Sequence, residues 1–239
     1  MASNRRTLIL GAAAATAALA TRALAATKAA GHKGPAPKKG PATAAKPGLP
    51  DDMVLGKANA PVPLIEYASA SCPHCAHWAL NDFPAFKAKY IDTGVVRFVF
   101  REFLTEPVGL AVAGFLIARK AGAARYFDVL HDVFAAQPEF YSPEQATKPI
   151  DILYRIGRNA GLTQADVDAC LHDQPAITAL YARVERYSKL SGVNSTPTFV
   201  VGQTKIQGEY ATPEIEAAIA EALNALKKAP AKHKTGGHR

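Results

Sequence analysis

The chain has 239 residues, 49% of them hydrophobic and 20% charged, with a formal net charge of +8. That length and mix suffice to bury one sizeable core, and they exclude a disordered or fibrous protein. The charge suggests nucleic acid only until it is divided: residues 1–25, 26–50 and 227–239 carry three, five and five basic residues and no acid, which leaves 15 basic and 20 acidic residues, a charge of −5, on 51–226. A body of that sign repels phosphates, so no nucleic-acid partner is expected, and the basic flanks read as solvated tails with weak attraction to anionic membranes or cell-wall polymers.

In chain order, residues 1–25 read as an export signal: Arg5 and Arg6, an apolar run from Leu8 to Ala20, then the small-residue site Ala23-Leu24-Ala25. The run, about 13 residues, is short for a membrane span, which needs roughly 20. The paired arginines fit the twin-arginine route and the rest fits general secretion, and either ends outside the cytoplasm, in a bacterium the periplasm. Residues 26–50 are Ala, Lys, Pro and Gly with almost no large apolar side chain, so a flexible tether is expected. Residues 227–239 have the same character and form a basic tail.

The body, 51–226, opens with Pro63-Leu-Ile-Glu-Tyr-Ala68, an apolar run of strand length that ends at a turn before Cys72. From Cys75 onward Trp78, Leu80, Phe83, Phe86 and Tyr90 recur near helical spacing, with Pro84 inside the pattern where it should kink the helix. Gly94 ends that helix, and Val95–Phe100 is a second strand by its branched and aromatic content, so a parallel crossover is predicted. Residues from about 106 to 190 are helical nearly throughout, with Thr163 and Asp166 marking one helix start. Thr198–Val201 returns to strand character, Lys205-Ile206 pairs back as a hairpin, and Thr212-Pro213 starts a last helix with Ile215, Ile219, Leu223 and Leu226 on its buried face.

The chemistry lies in Cys72-Pro73-His74-Cys75. A zinc site needs two further ligands at suitable spacing, and a c-type haem needs His directly after the second cysteine, where Ala76 stands; neither metal nor cofactor is expected. A structural staple would close a loop of only about four residues, where the loop-entropy gain is smallest. For redox work, Cys72 should sit exposed at a helix N-terminus, where orphan amides favour its thiolate, and Cys75, in the first turn, should be more buried and resolve mixed disulfides. His74 should add donors or positive charge toward the Cys72 sulfur while Pro73 fixes the backbone.

With these residues, the sequence resembles the DsbA family of bacterial thiol-disulfide oxidoreductases. The likeness rests on the Cys-Pro-His-Cys motif, the strand before it, the helical insertion, and Gly192-Val-Asn-Ser-Thr-Pro-Thr-Phe-Val200, and it covers roughly Met53 to Leu226. It implies an α/β thioredoxin fold, a small mixed sheet flanked by helices, with a helical insertion at about 106–190. It also implies a cis peptide before Pro197 facing the cysteines, Thr196 backbone pairing with an extended substrate, and Glu66 as a buried acid beneath the active site that helps proton transfer from Cys75. The implied activity is a periplasmic dithiol oxidase acting on reduced secreted proteins, reoxidised by a quinone-linked membrane partner and monomeric. Threonine before the proline departs from the best-known oxidase, which has valine, and is shared with isomerase and reductase relatives. A disulfide isomerase or reductase, or a redox-silent chaperone or binding module, are therefore alternative functions. Cys170, in a helical pattern, reads as a small buried hydrophobe.

Overall fold

The computed structural model describes residues 48–142, 144 and 147–228. The predicted signal (1–25), most of the tether and all but the first two residues of the basic tail lie outside the described residues.

The predicted strands form the centre of a five-stranded mixed sheet in the order β1-β3-β2-β4-β5. The strands are β1 (Met53–Leu55), β2 (Val62–Ala68), β3 (Val96–Glu102), β4 (Thr198–Val201) and β5 (Thr204–Gln207). β2 and β3 run parallel, as the helical crossover between them requires, while β4 is antiparallel to β2 and forms the hairpin with β5. β1, three half-buried residues antiparallel to β3 at the edge, had no sequence signal.

The crossover is one helical rod assembled from unlike turns: α1 (Pro73–His77), a π-helical turn (Trp78–Asp82), α2 (Phe83–Phe86) and a second π-helical turn (Lys87–Ile91). Pro84 has no amide to give and its ring crowds the carbonyl four residues back; the wider turn ahead of it, closed by Phe83 N–H to Trp78 O, absorbs the misfit. The break in the helical pattern expected at Pro84 is thus met by a local change of helix type. Gly94 follows in the left-handed region, φ 84°, where a Cβ would meet the Lys57 side chain at 2.8 Å.

The helical insertion comprises α3 (Val108–Lys120), α4 (Tyr126–Ala135), α5 (Gln137–Tyr141), α6 (Pro149–Asn159), α7 (Gln164–Leu171) and α8 (Gln174–Ser191). Thr163 caps α7 as expected, its hydroxyl accepting from Asp166 N–H while the Asp166 carboxylate accepts from Thr163 N–H. The last helix, α9 (Thr212–Lys228), buries Ile215 and Ile219 against the sheet, but Leu226 is exposed, against expectation. At about 25 Å, a helix of this length outruns the short strands it covers.

The sheet separates two apolar layers. Leu64, Ala68, Phe98 and Phe100 pack with Trp78, Phe115 and Phe199 in the larger, and Ile65, Tyr67, Val99 and Val200 pack with Tyr187 in the smaller. Buried ion pairs fasten the helices to β3. The Glu102 carboxylate accepts from Arg119 Nε at 2.6 Å, Arg183 Nε at 2.9 Å and the Tyr126 hydroxyl at 3.1 Å, so one side chain holds α3, α4 and α8. On the opposite layer Arg101 donates to Asp52 at 2.9 and 3.1 Å and to the Tyr67 hydroxyl at 2.8 Å. Both members of the Arg101–Asp52 pair are buried.

Replacing Glu102 with alanine would leave the Arg183 charge buried without its carboxylate. A loss of about 3–5 kcal/mol is expected, read as a fall in the urea midpoint at unchanged slope. A midpoint that stays in place would mean that the arginines find water instead.

Candidate active site

Cys72 ends the loop that leaves β2 and occupies the N-cap of α1, in extended backbone (φ −81°, ψ 119°), with Pro73 as the first helical residue. Its carbonyl accepts from Ala76 N–H at 3.1 Å, so its sulfur lies beside the free amides of the first turn. The loop is fixed from outside the motif. Ser71 Oγ donates to Thr105 O at 2.8 Å, the Gln137 amide donates to Ala70 O at 2.9 Å and Cys72 O at 3.3 Å, and the Tyr141 hydroxyl donates to Ser71 O at 2.5 Å. α5 of the helical insertion therefore positions the cysteine backbone.

Across from the motif, the Thr196–Pro197 peptide is cis, as expected from the resemblance; Glu106–Pro107 is also cis, which no sequence feature announced. The loop carrying Thr196 is tied down by the Thr198 hydroxyl donating to Ser195 O at 2.7 Å and the Gln207 amide donating to Ser195 Oγ at 2.6 Å. It brings Thr196 O to 3.6 Å from Cys72 Sγ.

Cys72 and Cys75 are both free thiols in this structure, and both are buried. Cys72 was expected to be exposed; it keeps 6% of its surface because the Thr196–Pro197 loop leans over it, against 0% for Cys75. The Cys72 pKa falls to about 5, first because the Cys75 thiol donates to it, then, against the opposing pull of burial, through the Thr196 side chain and the amides of Cys75 and His74. Cys75 moves the other way: burial, the Cys72 thiolate beside it and Glu66 hold it well above the ordinary thiol range. Glu66, buried on β2, is likewise pushed well up, by burial first and by the Cys72 charge second.

The site thus pairs one thiolate with two acids kept neutral, and it can take up or give up a proton internally when the cysteine bond opens or closes. His74 differs from expectation. Its exposed imidazole is directed at the Glu209 carboxylate, in the turn before α9, so its contribution to the Cys72 sulfur comes from its backbone amide. Glu209, Gln137 and Tyr141 were not singled out from the sequence; they lie between 65 and 135 positions from the residues they touch, and no local pattern marks them. Cys170 is buried as expected, with a pKa pushed up to about 11 by burial, and its thiol donates to Val167 O at 3.2 Å within its own helix. The described residues hold no cluster of three or more His, Cys, Asp or Glu suited to a metal.

A mixed sheet with a dithiol at a helix N-terminus facing a cis proline defines a thioredoxin-fold redox protein. Comparison with known proteins agrees: a family profile described as Thioredoxin matches residues 49–221. A protein of Rickettsia bellii named as a protein-disulfide oxidoreductase is 32% identical over 177 residues, which cover 74% of this chain and 66% of the relative, just under two thirds of its length. Disulfide bond formation protein D of Bacillus subtilis is 24% identical over 187 residues, covering 76% of this chain and 82% of that one. The crystal structure of Wolbachia pipientis alpha-DsbA1 superposes with a TM-score of 0.65 at 26% identity, over 75% of this chain and 96% of that one. The chain belongs to the thioredoxin family, and within it to the DsbA-like proteins.

In the reduced protein Cys72 is expected to titrate near 5, followed by its ultraviolet thiolate absorbance. Because the folded value lies below the unfolded one, the stabilisation of the reduced protein is complete above the ordinary thiol range, declines as pH falls, and is gone below about 5. Thr196→Val removes a donor and should raise the midpoint; an unmoved midpoint would show that the hydroxyl contributes nothing.

Proposed function

We propose that the protein is an exported thiol-disulfide oxidoreductase that passes the Cys72–Cys75 disulfide to reduced secreted proteins. The observation that carries this reading is the asymmetry of the pair: a Cys72 thiolate stable down to about pH 5 beside a Cys75 thiol held protonated. A stable thiolate makes the reduced form the favoured one, and so makes the disulfide oxidising.

In the oxidised protein a substrate thiolate attacks Cys72 Sγ, the Cys72–Cys75 bond breaks, and its electron pair leaves on Cys75, which takes the proton held by the buried Glu66 carboxyl. A second substrate thiolate then attacks the substrate sulfur of the mixed disulfide. Cys72 leaves as the thiolate that its surroundings stabilise, and the substrate carries the new disulfide. Glu66, left as a carboxylate by the first step, is reprotonated from solvent in the reduced protein; on reoxidation, as the electrons pass to a quinone-linked membrane partner, it gives that proton back to solvent and receives the Cys75 proton. Thr196 and Pro197, beside Cys72, fit a role in aligning an extended substrate chain.

The predicted signal supports a periplasmic location for this chemistry, reached by general or twin-arginine export, and the family resemblance favours a monomer. No helix among the described residues is long and apolar enough to cross a membrane.

Threonine before the cis proline favours a second reading, an isomerase or reductase kept reduced by an electron donor. The reduction potential separates the two. A value toward about −120 mV, the oxidising end of the scale where DsbA stands, is expected; one near about −270 mV, typical of thioredoxin, would make the protein a reductant. With purified reduced substrate, Cys72→Ser should abolish disulfide transfer, and with a disulfide-bonded substrate Cys75→Ser should accumulate mixed disulfides through Cys72. Full activity of the Cys72 variant would overturn both readings.

A further inference from the structure

A cavity of about 610 Å³ opens between the active-site helix, β3 and α4, and neither cysteine lines it. Its walls include Trp78, Phe83, Phe98, Phe100 and Phe127, and its lining includes Glu66. Glu66 is 3% exposed, and no described residue hydrogen-bonds its carboxyl. The one indole N–H in the wall is already given, from Trp78 Nε1 to Thr212 Oγ1 at 3.1 Å, so the ring presents carbon to the cavity.

We propose that this cavity binds an amphipathic ammonium ion, its aromatic or aliphatic body among the rings and its charged nitrogen on the Glu66 carboxylate. The volume is that of an ordinary small-molecule site, apolar with a single polar anchor. A buried carboxyl without a partner is costly, and a ligand donor relieves that cost. The sign of the ligand follows from the lining. A carboxylate repels anions, aromatic faces attract cations, and the only Lys or Arg of the lining, Lys87, has its ammonium taken up by Asp92 at 2.7 and 2.9 Å. Of the other titratable groups, Asp128 is paired with Arg125, and His131 lies beside Asp132.

Burial keeps the empty site's carboxyl protonated. Binding therefore exchanges a proton for the ammonium: Glu66 releases its proton to solvent, and a neutral ion pair occupies the cavity. The site stands apart from the direction of electron flow, which it does not require.

Trp78 is the chain's single tryptophan, so its fluorescence reports on the cavity. The full chain is titrated with phenethylamine and with phenethyl alcohol, its neutral counterpart of like shape. A charge-assisted bond at Glu66 predicts saturable binding of the amine, tighter than the alcohol by about tenfold or more. Glu66→Gln should remove that advantage and leave the alcohol as it was, and Ala124→Phe, which fills space in the lining, should weaken both. Equal affinity of amine and alcohol for the unaltered chain would overturn the proposal without reference to any variant. So would the absence of saturable amine binding, or amine binding indifferent to Glu66→Gln or Ala124→Phe.

Discussion

The site depends on holding one negative sulfur without a cation. Cys72 is nearly buried, and what lowers its pKa to about 5 is a set of neutral donors: the Cys75 thiol, the Thr196 side chain and two backbone amides. The imidazole within the motif, on His74, is occupied by Glu209. Donors of this kind hold their positions only if the backbone that carries them is fixed, because a hydrogen bond to an anion weakens steeply with distance and angle. The remainder of the fold can be understood as the means of fixing it.

Two parts of the chain, far apart in sequence, do that work. The β4 loop is braced by Ser195, Thr198 and Gln207, which sets where Thr196 meets the sulfur. α5 reaches back through Gln137 and Tyr141 to the loop that carries Cys72. The helical insertion is therefore part of the active site. Glu102 explains how that insertion transmits its position: one carboxylate at the end of β3, the strand beside the one that leads to Cys72, fixes α3, α4 and α8.

Most of the fold was legible in the sequence because its strong signals are local. Branched and aromatic runs gave β2 and β3, Thr163 with Asp166 gave a capped helix, and the four-residue motif located the thiols. β1 was not legible, since three half-buried residues carry no period, and its place is set by Asp52 meeting Arg101 across 49 positions. The π-helical turns were not legible either. Pro84 marks a fault in the helix, but whether the chain bends or widens its turn depends on what packs around it. The degree of Cys72 burial failed for the same reason: the residues that cover it come from 124 positions away.

The distribution of buried charge follows a division of labour across the fold. Where the chain requires only rigidity, its buried ions are matched: Arg101 with Asp52, and Glu102 with Arg119 and Arg183. At the reactive centre they are left unmatched, so Glu66 and Cys75 remain neutral while Cys72 ionises. Matched ions resist titration, whereas an unmatched buried acid changes its proton affinity whenever a charge near it appears or disappears. Closing the cysteine bond removes the Cys72 charge, and that same charge is one of the causes raising Glu66. A carboxyl so placed needs no movement of the chain to sense the redox state of the pair, since the charge on the sulfur already sets its proton affinity.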